Sequence, residues 1–128
     1  MPANPEAREP VECISAVTLL VTDMTRSVAF YRALGFRVLH GGEGEAFTSF
    51  RAGSGYLNLQ AVPGNAPPGS SWGRVIFWVD HVDDMYARAV GAGFAPAAAP
   101  EDAPWGERYF HLLDPDGHEL SFARPLNP

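Results

Sequence analysis

The chain has no lysine: its nine basic residues are all arginine, scattered singly along 128 positions. Without lysine there is no Schiff-base amine and no P-loop lysine for phosphates. Without a basic cluster there is no cationic face for nucleic acid, and the formal charge of −6 points the same way. A single cysteine, Cys13, excludes an intrachain disulfide framework and a cysteine-rich zinc site, and permits a reducing compartment. No apolar run approaches the roughly 18 residues of a membrane span, and the opening Met1-Pro2-Ala3-Asn4 lacks a basic stretch leading into an apolar one. The expectation is a cytoplasmic protein with neither membrane nor nucleic-acid partner.

Turn formers are plentiful instead. Gly (13) and Pro (12) accompany a hydrophobic content of 46 %, enough to fill the core of one domain of this length. Pro2, Pro5 and Pro10 mark the start as a frayed arm. Ala16–Phe36 aligns without a gap on Arg74–Phe94, at an offset of 58 (94 − 36). Val17, Leu19 and Val21 meet Val75, Phe77 and Val79, an every-second-residue pattern that predicts a strand in each copy. A helix follows in each, capped by Asp23 or Thr25 in the first and by Asp80 or Asp83 in the second. Val28, Tyr31 and Leu34 in one copy, and Met85, Ala89 and Val90 in the other, supply the apolar helix positions. Gly35 and Gly93 stand where a left-handed residue ends a helix. Further strands are predicted over 36–40, 46–51 and 56–61, and over 94–97, 108–113 and 119–123. Asp114-Pro115-Asp116-Gly117 is a turn, and 63–72 is a linker by composition.

VTLLVTDMTRSVAFYRALGF, the Pro104-Trp105-Gly106 stretch and DPDGHELSFARP resemble the vicinal-oxygen-chelate superfamily, which includes glyoxalase I, extradiol dioxygenases, fosfomycin-resistance enzymes and bleomycin-resistance proteins. The resemblance covers roughly Ile14 to Leu126. It implies an α+β fold of two βαβββ modules whose curved mixed sheets form a cup-shaped cavity, usually in a homodimer. A single domain over 1–128 would then hold module one at about 14–62, the linker at about 63–72 and module two at about 73–126. Metal-dependent members carry a His, Glu or Gln ligand at four equivalent cavity positions, which fall here on Ala16, Asn58, Arg74 and Ser121. Alanine has no donor atom and arginine repels a divalent cation, while Asn and Ser are weak neutral donors. No metal and no cofactor is therefore expected.

Strand alternation selects the side chains that line the cup. Thr18, Tyr56, Asn58 and Gln60 face it from the first module, and Arg74, Trp78, Tyr109, His111 and Ser121 from the second. Trp105 joins them from a Pro/Gly loop, with Phe47 and Trp72 as further aromatic candidates. Flat rings, a few hydrogen-bonding groups and one fixed cation, Arg74, suit a planar, partly polar small molecule. The bland alternative is that the rings fill the cup as a second core. His111 either hydrogen-bonds a strand neighbour or serves a ligand; a Ser121/His111 nucleophile pair needs the two to be adjacent across the hairpin, and no Gly-x-Ser-x-Gly turn surrounds Ser121. Asp83-Asp84, Glu43, Glu45, Glu101-Asp102, Asp114 and Asp116 read as solvated charges, with Glu119 alone aimed at the cavity mouth.

The expected function is metal-independent binding that sequesters a planar aromatic or antibiotic-like ligand, with no catalytic residue assigned. In the resembling bleomycin-resistance proteins an acidic, aromatic-lined dimer cleft sequesters a cationic drug unaltered, whereas Arg74 here favours a carboxylate, phosphate or phenolate. The alternatives are a metal-dependent glyoxalase-type lyase or dioxygenase, and a structural or regulatory dimer with a filled cup.

Overall fold

A computed structural model describes Pro10, residues 13–63 and residues 74–126. The expected N-terminal arm, most of the linker and Trp72 lie outside the described residues. The first half runs β1 (Ala16–Val21), α1 (Met24–Ala33), β2 (Val38–His40), β3 (Phe47–Ala52) and β4 (Gly55–Ala61). The second runs β5 (Arg74–Trp78), α2 (Val82–Gly91), β6 (Glu101–Asp102), β7 (Glu107–Leu113) and β8 (Glu119–Pro125). Ala16 and Arg74 open their strands, and Met24 and Val82 open their helices, at the spacing of the sequence repeat.

Each half builds its own four-stranded sheet, ordered β1-β4-β3-β2 and β5-β8-β7-β6. In each, the first strand pairs in parallel with the last, Ala16 opposite Tyr56 and Arg74 opposite Glu119. A parallel pair needs a crossover, and the helix supplies it. Both sheets are curved without closing. These are the two βαβββ modules of an α+β fold.

The helices start differently and end alike. Asp23 caps α1, its Oδ1 accepting from the Arg26 N–H at 3.1 Å. Neither Asp80 nor Asp83 caps α2; His81 holds that position without a side-chain bond, and Asp83, inside the first turn, accepts from Arg108 Nε instead. At the C-termini Gly35 (φ 105°) and Gly93 (φ 92°) turn the chain left-handed. The Phe36 N–H then reaches Tyr31 O, and the Phe94 N–H reaches Ala89 O, both at 3.0 Å.

The alternate residues Leu19, Val21, Leu57, Leu59, Leu112 and Leu120 are buried together with Val28 and Tyr31 of α1 and its C-cap residue Leu34. Rings carry this core across the module boundary: Phe30 packs on Phe94 with centroids 4.5 Å apart, and Phe36 on Phe77 at 5.1 Å. Val90 is exposed, not core; α2 buries Val82 and Ala89, and Tyr86 packs on Phe110. Val90 lies one residue, about 100°, beyond that face.

Two second-half expectations are corrected. Residues 94–97 form no strand; Phe94 is apolar because it packs on Phe30. Pro96 has no N–H to give, and one bond, from the Ala97 N–H to His111 O at 3.2 Å, ties this segment to β7. The outer strand is β6, formed by the Glu101-Asp102 pair expected in a loop.

The larger correction concerns the β7–β8 turn. Asp114 and Asp116 are 4 % and 5 % exposed, not solvated. Tyr31 O–H donates to Asp114 Oδ2 at 2.7 Å. Thr22 donates to Asp116 Oδ1 from its N–H at 3.1 Å and its hydroxyl at 2.6 Å, and Ser27 Oγ donates to Asp116 Oδ2 at 3.3 Å. His118 Nε2 donates to Leu20 O at 2.7 Å. Charges this buried survive because each is hydrogen-bonded. The turn of module two is thereby seated in module one.

Candidate functional site

With alternate strand residues consumed by the core, the opposite sheet faces carry the expected ligand residues. On the first sheet these form a polar ladder. Ser49 Oγ donates to Asn58 Oδ1 at 2.7 Å, and Asn58 Nδ2 donates to Thr18 Oγ1 at 3.3 Å. Gln60 stands exposed beside them, paired in register with Phe47. Tyr56 lies under the Arg51 guanidinium, 5.0 Å from its ring centroid.

On the second sheet the residues make a continuous strip. His111 and Ser121 are cross-strand partners in the β7–β8 register, and His111 Nδ1 lies 2.6 Å from Ser121 Oγ. The His111 ring packs on Tyr109 at 5.1 Å, and Tyr109 stacks on Trp105 at 6.0 Å with ring planes 26° apart. Carboxylates hold the polar ends of the outer rings. Tyr109 O–H donates to Glu101 Oε2 at 2.8 Å, and Trp105 Nε1 donates to Glu107 Oε1 at 3.1 Å.

Arg74, expected as the lone fixed charge of the cup, is paired: its Nε lies 3.5 Å from Glu119 Oε1. One guanidinium thus shares this face with Glu101, Glu107 and Glu119, and the local balance is acidic. That offsets the anion preference expected from Arg74 alone. The same charges tune the neighbours. Burial, then Arg74, lowers the His111 pKa below its ordinary 6.5 against the opposing pull of Glu119 and Glu101. The bond to Glu101, then burial, raises that of Tyr109 above 10.0. The imidazole is therefore neutral at pH 7, and the phenol keeps its proton.

A cleft of about 880 Å³ opens beside β1, β4 and β5, lined by Ala16, Tyr56, Arg74, Ile76 and Trp78 among others. Of the ten expected ligand residues, Tyr56, Arg74 and Trp78 meet in this cleft. Trp105, Tyr109, His111 and Ser121 form the strip, while Thr18 and Asn58 form the ladder, with Gln60 alongside. Among the described residues, no hydrogen bond, ion pair or ring contact joins the strip to the ladder. Sequence reasoning missed Glu101 and Glu107 as ring partners. Their signal was available in part, since Glu107 lies two residues from Trp105 and Glu101 faces Tyr109 in an antiparallel pair.

The four positions equivalent to metal ligands in the resembling superfamily fall on β1, β4, β5 and β8. Their side chains do not fit a divalent cation. A methyl group has nothing to donate, Arg74 repels the ion, Ser121 is engaged by His111, and Asn58 by Ser49 and Thr18. Among the described residues, no three His, Cys, Asp or Glu side chains gather as a metal site, and no helix is long and apolar enough to cross a membrane.

The family model described as Glyoxalase/Bleomycin resistance protein/Dioxygenase superfamily matches residues 14–122. An uncharacterized protein of Mycobacterium tuberculosis (strain H37Rv) is 42 % identical over 48 residues, 38 % of this chain and 28 % of that protein. The chain thus spans about a third or less of the length of the curated relatives it matches. A bleomycin-binding protein solved in complex with bleomycin is 26 % identical, covering 89 % of this chain and 98 % of that one, with a TM-score of 0.69. A bleomycin resistance determinant encoded on transposon Tn5 is 25 % identical over the same shares, with a TM-score of 0.72.

Proposed function

The chain belongs to the glyoxalase/bleomycin resistance protein/dioxygenase superfamily, and within it we propose a metal-independent binding protein that sequesters a planar aromatic or antibiotic-like small molecule. The observation that carries this reading is the strip on the second sheet. Trp105 is 70 % exposed, yet its ring is fixed by Tyr109 on one side and by Glu107 at its nitrogen. A large aromatic surface held rigid and open is a prepaid stacking platform, since little rotamer entropy remains to be lost on binding. The acidic balance around it favours a neutral or cationic ligand. The bleomycin-binding relative lends support by its likeness in sequence and fold.

Metal independence rests on the donor chemistry of Ala16, Asn58, Arg74 and Ser121. The lyase and dioxygenase reading needs a Lewis acid that these side chains cannot hold, so it is the outcome to be tested against. We further assign the protein to the cytoplasm, where the exposed thiol of Cys13 stays reduced, and to a homodimer, because Trp78 is 66 % exposed and Ile76 57 % exposed on the same open face of β5.

Tryptophan fluorescence of chelator-treated protein, titrated with a panel of planar heteroaromatics, tests the reading. Saturable quenching that is unchanged by added Ni²⁺, Zn²⁺, Mn²⁺ or Fe²⁺ is expected. Binding or turnover that appears only when one of these metals is restored would establish the enzyme reading in its place.

A further inference from the structure

The strip contains one polar atom able to choose among flat ligands. Ser121 is 3 % exposed, and His111 Nδ1 is the one partner its hydroxyl has among the described side chains. A buried hydroxyl hydrogen is costly to leave without an acceptor, so Ser121 donates to Nδ1 and the ring proton sits on Nε2. Nε2 has no partner among the described residues, and no buried side-chain nitrogen or oxygen lacks one. Nε2–H is therefore open to solvent. The other ring donors are committed, Tyr109 O–H to Glu101 and Trp105 Nε1–H to Glu107.

We propose that His111 Nε2–H is the specificity-determining donor of this face, selecting planar ligands that carry an in-plane acceptor, a ring carbonyl above all, and aligning them on Tyr109 and Trp105. This rests on the binding function proposed above and adds to it the functional group the ligand must present. Ser121, at a position where metal-dependent relatives place a ligand, acts as a positioning residue that sets the tautomer. The charged groups bearing on His111 are Arg74 from β5, Glu119 from β8 and Glu101 from β6; with burial they leave the imidazole a neutral donor near pH 7. A neutral N–H suits a neutral carbonyl, whereas an anion would be drawn to Arg74 and repelled by the three glutamates.

Equilibrium dialysis of fluorenone against fluorene, planar tricycles that differ by one carbonyl, tests the assignment. Wild type is expected to prefer fluorenone by about three- to tenfold, the worth of one net hydrogen bond. The double variant His111→Phe/Ser121→Ala, which keeps the ring and orphans no hydroxyl, should bind both equally. Equal binding by wild type, or a preference kept by the double variant, overturns the role of His111 while leaving the aromatic-binding reading in place. Failure of wild type to bind either compound removes that reading, and this inference with it. A ligand-free check is the long-range ¹H–¹⁵N spectrum of the imidazole. It should show protonated Nε2 in wild type and a mixture of tautomers in Ser121→Ala; protonated Nδ1 in wild type would contradict the proposal.

Discussion

Tyr31 spends its hydroxyl on a buried carboxylate, and its acidity records the cost of charging it there. Burial first, then the charge of Asp114 and the bond to it, hold its pKa well above the ordinary 10.0. Tyr31→Phe leaves Asp114 Oδ2 without that donor, so a loss of about 1–3 kcal/mol is expected in urea unfolding, with the midpoint falling at unchanged slope. His111 behaves in the opposite sense. Its folded pKa lies below the unfolded value of about 6.5, so as pH drops through 6.5 the unfolded chain takes up the proton first. Wild type should therefore lose stability relative to His111→Phe/Ser121→Ala below pH 6.5, with a constant difference above it; a difference that stays flat down to pH 5 would contradict the shift. Arg74→Ala frees Glu119 and makes the strip more acidic. A planar carboxylate should then bind several-fold more weakly by equilibrium dialysis, and a planar cation no worse. The core-facing residues Leu19, Val21, Leu57, Leu59, Leu112 and Leu120 were legible from alternation alone. The burial of Asp114 and Asp116 was not, because their partners Thr22, Ser27 and Tyr31 lie 83 to 94 positions away and a turn tetrapeptide carries no mark of what it will be pressed against.

At the scale of elements, the repeat made both β-α units readable, although the start of α2 was not, since His81 and neither Asp80 nor Asp83 holds its cap position. The helix ends were readable as well, because a left-handed residue is a local demand that glycine meets locally. Gly35→Ala places a side chain at φ 105° and should cost about 1–3 kcal/mol. Gly91→Ala, in a helix with open space around its Cα, should be neutral or stabilising by up to about 1 kcal/mol. Thermal unfolding of the two variants separates these signs. Strand β6 escaped sequence reasoning because two charged residues have little strand preference; it exists through its bonds to β7, which is a tertiary cause. The same holds for residues 94–97, whose apolar signal comes from the Phe30–Phe94 contact between modules.

For the whole molecule, the two modules share one core through Phe30, Phe36, Phe77 and Phe94, and are pinned by the Asp114–His118 turn. Their opposite faces are left open. The ten residues expected around one cup are therefore divided among a strip, a ladder and a cleft, and the proposed homodimer would be what brings strip and ladder to face one another. Light scattering after size exclusion should give the mass of a dimer, and Trp78→Glu should shift it toward monomer while leaving the far-ultraviolet dichroism unchanged. Sequence could reveal what each face carries, but the proposed pairing of faces would rest on surfaces that no alternation pattern encodes. Metal-independent binding on the aromatic strip can be followed through the indole N–H resonances as a planar heteroaromatic is titrated into chelator-treated protein. A saturable shift of the Trp105 resonance, abolished by Tyr109→Ala, is expected. An unmoved Trp105 signal, or one that moves only after a divalent metal is added, would contradict it.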